Sequence, residues 1–267
     1  MADINLPATL AATREGDIAI LRLSRSAKRN ALDDETVRGL RRFFMDVPEG
    51  VGAVVLHGEG PHFCAGLDLG EVVDQPDSPT NLHKGILHSQ MWHRAFHEIQ
   101  FGRVPVVSVL HGAVVGGGLE LAAATHVRVA EHSAYYGLPE GQRGIFLGGG
   151  GSVRIPRLIG LPLVQDMMLT GRTLSADEGF AAGISQYLVP SGEGLAKAIA
   201  LARQAARNAP LTNFAVIHAL PRIAEADPAT GFLTESLMAA IAETAPEAQQ
   251  RLREFLEKRA AKITPGG

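Results

Sequence analysis

The chain has 267 residues, 46% of them hydrophobic and 20% charged, with a formal net charge of −3 and a pI near 6.4. This length fits one large domain or a domain with an appended segment, and the composition is that of an ordinary globular protein. The mildly acidic balance gives no electrostatic footprint for nucleic acid or an anionic membrane, and the single cysteine, Cys64, excludes an intramolecular disulfide and cysteine zinc motifs.

The opening MADINLPATLAATREGD has neither the basic n-region nor the apolar h-region of a signal peptide. No apolar run reaches the roughly 18–20 residues of a membrane helix. The expected location is therefore cytoplasmic, with no nucleic-acid or membrane partner. ATLAATREGDIAILRLSR reads as a hairpin, two period-two stretches around a turn at Glu15–Gly16–Asp17. DDETVRGLRRFF then carries Asp33 as a plausible N-cap, with Val37, Leu40, Phe43 and Phe44 at helical spacing. GVGAVVLHGEG is a short buried strand closed by glycines. In PHFCAGLDLGE, residues 61–71, Ala65–Gly66 marks a tight turn, and Asp68 and Glu71 are placed to cap a following helix.

NLHKGILHSQMWHRAFHEIQ is rich in histidine, and His93 and His97 stand at i, i+4. That spacing suits two metal ligands on a helix, but no HExxH or nearby acidic residue completes a set, so no metal is expected. VPVVSVLHG (104–112) is another strand, leading into HGAVVGGGLELAAA, residues 111–124. This stretch carries two costs at once. Glycine inside an element is worth roughly 0.5–1 kcal/mol less than alanine, and Glu120 is a carboxylate among apolar neighbours. A strand, a glycine turn and an Ala/Leu helix would bare the first helix N–H groups, which suit an anion or a developing oxyanion. Glu120 follows Gly117 by one helical turn on the same face.

THVRVAEHSAYYGLPE gives two more short strands. Glu140 follows Pro139, and GGGG at 148–151 opens another helix. Strands alternating with helices place the chain in the α/β class. Composition changes near residue 190, after which the sequence is helical to QQRLREFLEKRAAKI. The expected organisation is a core over 1–190 and an all-helical C-terminal region over 191–267. No GxGxxG, GxxxxGK[ST] or GxSxG pattern occurs, so nucleotide-phosphate and serine-hydrolase chemistry are not indicated. A carboxylate pair also serves glycoside hydrolysis, but one Trp and three Tyr leave few aromatic platforms for sugars.

In this order, SAKRNALDDE, FCAGLDLGE, HGAVVGGGLELAAATHVRVA, YYGLPEGQRGIFLGGGGSVRIPRLIG, MMLTGRTLSADEGFAAGISQYLVP and FLEKR resemble the enoyl-CoA hydratase/isomerase (crotonase) family over nearly the whole chain. The resemblance implies a ββα spiral core with a helical C-terminal region that builds a trimer or a dimer of trimers. It implies an oxyanion hole from the backbone N–H groups of Leu67 and Gly117, and catalytic glutamates at Glu120 and Glu140. The substrate would be an acyl-CoA thioester, with coenzyme A entering as part of the substrate and no separate cofactor. Lys28, Arg29, Ala31, Ala65 and Asp68 would lie along the CoA, and Phe255 and Lys258 would reach the CoA of an adjacent subunit. Trp92, Tyr136 and Leu147 would shape the acyl pocket. Two glutamates favour hydration of a 2-enoyl-CoA to a 3-hydroxyacyl-CoA over double-bond isomerisation. A methylthioacryloyl-CoA hydratase, with CoA release, is the specific alternative, and an isomerase or an inactive CoA-ester-binding relative stands behind it.

Overall fold

The computed structural model describes residues 5–70 and 82–257. By internal contacts the chain forms two compact units, Met1–Ala206 and Arg207–Gly267. The first opens with the hairpin β1 (Leu10–Glu15) and β2 (Ile18–Leu23), then α1 (Asp34–Met45) and β3 (Ala53–Gly58). It continues with α2 (Leu82–Gln100), β4 (Val106–Leu110), β5 (Ala113–Val115), α3 (Gly117–Ala123), β6 (Val127–Glu131) and β7 (Tyr135–Gly137). It closes with α4 (Gly151–Ile159), α5 (Leu161–Thr170), β8 (Thr173–Ser175), α6 (Ala176–Ala182), β9 (Tyr187–Val189) and α7 (Gly194–Ala206).

The strands form one sheet in the order β1-β2-β3-β4-β6-β9 and a second in the order β5-β7-β8. Only β1 runs antiparallel in the large sheet. The chain therefore repeats one path: a strand of the large sheet, a strand of the small sheet, then a helix, as in β4-β5-α3 and β6-β7-α4. An isolated parallel bridge from Cys64 to Val114 gives β3 the same continuation. This is the spiral of ββα turns expected from the sequence.

Strands buried on both faces read as continuous apolar runs rather than alternating ones. IAILRL in β2 splits that way. Ile18 and Ile20 face a cluster with Val55, Val107, Val129 and the α7 residues Ala198 and Ala202. Ala19, Leu21 and Leu23 face the larger cluster with Phe43, Phe63, Phe96 and Leu110. The start of α7 is held by the buried Glu131, whose Oε1 accepts from the Gly194 N–H at 3.1 Å. Helical sequence begins near the composition change at 190, while the division between compact units falls later, after Ala206. α1 begins where its sequence says it should, with the Asp33 carboxylate accepting from the Thr36 N–H at 2.8 Å.

The second unit, by itself, is helical: α8 (Pro210–Phe214), a π-helical turn (Ala215–Ala219), α9 (Leu220–Glu225), α10 (Pro228–Thr244) and α11 (Pro246–Leu256). Asp227 caps α10 through the Ala229 and Thr230 N–H groups. Phe232, Leu233, Leu237 and Ile241 on α10 are all exposed. Among the described residues no helix is long and apolar enough to cross a membrane.

The glycines of α3 are a packing requirement as well as a site feature. A Cβ at Gly118 would be driven into the Cys64 carbonyl, part of the strand-like segment that carries the Ala65–Leu67 turn. Gly118→Ala is therefore expected to destabilise the protein by about 1–3 kcal/mol, the usual cost of overpacking. A melting temperature equal to that of the unaltered chain would contradict this close approach.

Candidate active site

Two neighbouring turns meet at the start of α3. The first runs through Lys28–Leu32 and pairs with 65–68. The Ala65 N–H donates to the Arg29 carbonyl, Leu32 N–H to the Gly66 carbonyl and Asp68 N–H to the Leu32 carbonyl, at 3.0, 2.8 and 2.9 Å. Arg29 and Asn30 both adopt left-handed backbone, with φ of 52° and 55°. Asn30 sustains this by burying its amide, which donates to the Glu59 and His62 carbonyls at 2.9 and 2.7 Å. Lys28 and Arg29 project as exposed cations, with Ala31 half-buried beside them. Asp68 does not face outward unpaired. Arg25 grips its carboxylate at 2.7 Å and holds that carboxyl below its ordinary range, tying the two segments together.

This pairing uses the Ala65 and Asp68 N–H groups, and the Gly66 N–H donates to Cys64 Sγ at 3.4 Å, but the Leu67 N–H is left over. Among the described residues neither the Leu67 N–H nor the Gly117 N–H donates to a protein acceptor. The two lie close together: a Cβ built on Gly117 would sit 3.3 Å from the Leu67 nitrogen, and one built on Gly66 3.1 Å from the Gly117 nitrogen. Gly117 is the first residue of α3, so its N–H has no intrahelical partner and adds the positive end of the helix dipole.

Gly116 caps that helix with φ 53° and ψ −122°, a conformation costly for any residue with a side chain. A Cβ there would also stand 2.6 Å from Glu140 Oε1. The bare Gly116 thus lets Glu140, from the turn after β7, come down onto the helix start that carries Glu120. Both carboxylates are buried, at 3% and 6% exposure, yet their surroundings differ. Glu120 Oε1 accepts from the Gly149 and Gly151 N–H groups at 2.8 and 2.7 Å. Burial raises the Glu120 carboxyl, and these two donors and the Arg154 charge work against that rise. Among the described residues Glu140 Oε2, which is buried, has no hydrogen-bond partner. Burial pushes Glu140 up to about 7, its own backbone hydrogen bond partly opposes this, and the charge of Glu120 adds to it. Burial thus raises both carboxyls, but Glu120 has two N–H donors and a nearby cation opposing the rise, while Glu140 holds its proton near neutrality.

The glutamates, Ala65, Gly66, Leu67 and Gly117 line one cavity of about 420 Å³. Trp92 and Leu147 form part of its walls. Trp92 packs edge-to-face on Phe96 with centroids 5.6 Å apart. Tyr136 is not there, and its assignment to the acyl pocket is corrected. Tyr136, paired with Leu174 across β7 and β8, points into the core with 0% exposure, its ring against Gly179. Phe255 is exposed near the end of α11 in the second unit. Lys258 and Glu71 lie outside the described residues. His93 and His97 have no ligand set with them. Among the described residues no group of three or more His, Cys, Asp or Glu could hold a metal ion.

His88, from the histidine-rich stretch, lines the cavity with its Nε2 2.8 Å from Asp34. Sequence reasoning missed three features: Arg143 and Phe146 line the cavity as well, and the glycine run at 148–151 supplies the donors to Glu120. Only the last had a signal, four glycines immediately ahead of a helix.

Residues 13–264 match the family described as enoyl-CoA hydratase/isomerase. The chain is 30% identical over 250 residues to Enoyl-CoA hydratase EchA19 of Mycobacterium tuberculosis (strain ATCC 25618 / H37Rv), covering 92% of this chain and 93% of that protein. Among solved structures, a crystal structure from Rhodopseudomonas palustris CGA009, provisionally named as an enoyl-CoA hydratase, is 54% identical. It superposes with a TM-score of 0.91 over 98% of this chain and 100% of that one. An enoyl-CoA hydratase from Bacillus anthracis is 27% identical with a TM-score of 0.86, over 96% and 98% of the two chains.

Proposed function

Because the chain belongs to the enoyl-CoA hydratase/isomerase family, we propose that it is a hydro-lyase that adds water across the 2,3 double bond of a 2-enoyl-CoA thioester, giving the 3-hydroxyacyl-CoA. The observation that carries this reading is the meeting of two unpaired backbone donors with two unlike carboxylates in one cavity. An isomerase shifting a double bond needs one group to move a proton between carbons. The pair Glu120 and Glu140 matches the two ends of a water addition.

The thioester oxygen would rest on the N–H groups of Leu67 and Gly117. Negative charge grows on that oxygen as water attacks Cβ, and prepositioned donors stabilise it more in the transition state than in the ground state. Glu120, held through Oε1 by its two N–H partners, is the base: it takes a proton from the water as the hydroxyl bonds to Cβ. Glu140, holding a proton near neutrality, delivers it to Cα as the enolate collapses. One water is consumed, and transfer of a proton from Glu120 back to Glu140 resets the site. The exposed Lys28 and Arg29 sit where the CoA phosphates would run, along the backbone that includes Ala31 and Ala65. Trp92 and Leu147 would bound the acyl group.

This division of labour sets a pH dependence. Glu140 acts in its protonated form, so kcat for hydration is expected to fall as pH rises through about 7, and to lose that limb in Glu140→Gln. A kcat for the unaltered chain that rises across this range would contradict the roles given to the two glutamates. Acyl preference would be read from a panel of enoyl-CoA esters differing in length and β-substituent, with a free-thiol assay for CoA release.

We further propose assembly as a trimer or a dimer of trimers, on the strength of the apolar side chains exposed along α10. Light scattering behind a sizing column should give a mass three or six times 28.3 kDa, and a single-chain mass would contradict it.

A further inference from the structure

We propose that Arg154 is a positioning residue for Glu120: together with the polar face of α2 it fixes the glycine loop 148–151, whose N–H groups hold that carboxylate. This rests on the hydratase reading for what Glu120 does, but not for how it is held.

The contacts form a continuous chain. Gln100, the last residue of α2, accepts through Oε1 from Arg154 Nε at 2.7 Å. Gln100 is itself fixed by its backbone carbonyl, 3.0 Å from His126 Nε2. The same Arg154 guanidinium donates through Nη1 to the Gly149 carbonyl at 3.1 Å. At the adjacent residue, Ser89 Oγ donates to the Gly148 carbonyl at 2.6 Å and lies 3.3 Å from His93 Nε2. The peptide whose carbonyl Ser89 holds carries the Gly149 N–H on its opposite edge, and Glu120 Oε1 accepts that N–H and the Gly151 N–H. A run of four glycines has no preferred conformation of its own. Side chains outside the run must supply the order that lets its amides converge on one oxygen.

The clamp is also electrostatic. Arg154 is half-buried, and its charge lowers the Glu120 carboxyl against the effect of burial. The titratable groups facing this centre are Arg154 from α4, Glu140 from the turn after β7 and His93 from α2. His93 is held below its ordinary range by burial and by Arg154. The histidine-rich stretch of α2, which suggested a metal by spacing alone, thus has a different role in this account. Its polar side holds the loop.

The test compares Arg154→Met, Arg154→Lys and Gln100→Leu with the unaltered chain. The readouts are kcat, KM, and the titration of Glu120 followed by isotope-edited infrared difference against Glu120→Gln. In Arg154→Met, kcat should fall about 10²-fold, the scale of an ångström-level misplacement, with KM changed only a few-fold. The Glu120 titration should move to higher pH, because a cation has been removed. Arg154→Lys keeps the charge but not the fork, so it should restore the titration and not kcat. Gln100→Leu should lower kcat with little change in titration. A folded Arg154→Met protein with unchanged kcat and unchanged Glu120 titration overturns the proposal. Should that variant fail to fold, full kcat in both Arg154→Lys and Gln100→Leu overturns it. If the unaltered chain hydrates no enoyl-CoA, the hydratase reading falls, while the infrared titration still decides whether Arg154 holds Glu120.

Discussion

Glu120→Gln is expected to cut the hydration rate of crotonyl-CoA by about 10²–10⁴-fold, the usual worth of one positioned acid or base, and Glu140→Gln by a similar factor. Both changes preserve shape, so the loss is chemical. At position 120, two N–H groups already point at Oε1. An amide nitrogen there would face two donors, so the glutamine would turn its carbonyl to the loop. It then offers an NH₂ group to the water, which can donate but cannot take a proton. At position 140 an amide replaces a buried carboxyl that holds its proton near neutrality, and the amide has no proton to release at that pH. The Leu67 and Gly117 donors are untouched, so affinity for the thioester should survive in both variants. Loss of binding along with turnover would mean that the glutamates shape the pocket rather than act on the water. Stopped-flow loss of the conjugated thioester absorbance, paired with equilibrium binding of a saturated acyl-CoA, separates the two.

Removing the Gly117 N–H should cost about 10²–10³-fold in kcat, the usual loss of one oxyanion donor. Gly117→Pro does this, and the first position of a helix tolerates proline because its N–H has no intrahelical partner. The substitution also adds a Cβ, which would sit 2.8 Å from Trp92 Cζ3, so that effect has to be subtracted. Gly117→Ala brings the same Cβ and keeps the donor. The prediction is therefore a difference: both variants pay for crowding Trp92, and only the proline pays for the lost hydrogen bond. Equal kcat values for the two, in folded proteins, would remove the Gly117 amide from the mechanism. The Leu67 amide is its neighbour and would then be left as the lone donor to the thioester oxygen.

Much of this site was legible because its parts are local. The hairpin around Gly16, the Asp33 cap and the strand-glycine-helix join at 111–124 are each written within a few residues, and each forms where its pattern says. Glu120 could be suspected from its apolar neighbours alone. What was not legible depends on contacts between distant segments. The side chain of Asp68 could be read as a helix cap or a CoA contact. Its pairing with Arg25, far back in the chain, appears only in three dimensions. Tyr136 sits in a strand of three residues, too short for alternation to show which side faces the cavity, and its partner Leu174 fixes it into the core. The glycine run 148–151 read as a helix start. Its amides find a purpose only when α2, through Ser89 and Gln100, and α3, through Glu120, are packed on either side of it. The C-terminal composition change marked where helices begin, but α7 still belongs to the sheet, since Ala198 and Ala202 complete one of its two apolar faces.

The two costs in HGAVVGGGLELAAA resolve into one arrangement. Gly116 admits Glu140, Gly117 offers its amide and Gly118 allows the helix to press on the Cys64 segment that carries Leu67. The burial of Glu120 is partly offset by donors from a different loop.

The central claim is that solvent water becomes the β-hydroxyl of the product. It is tested most directly by turning over a 2-enoyl-CoA in ¹⁸O-labelled water and analysing the product by mass spectrometry. A water-adduct product carrying one heavy oxygen on C3, formed by the unaltered chain and lost in Glu120→Gln, is the predicted result. A product of unchanged mass with its double bond moved, or no product at all, would contradict it.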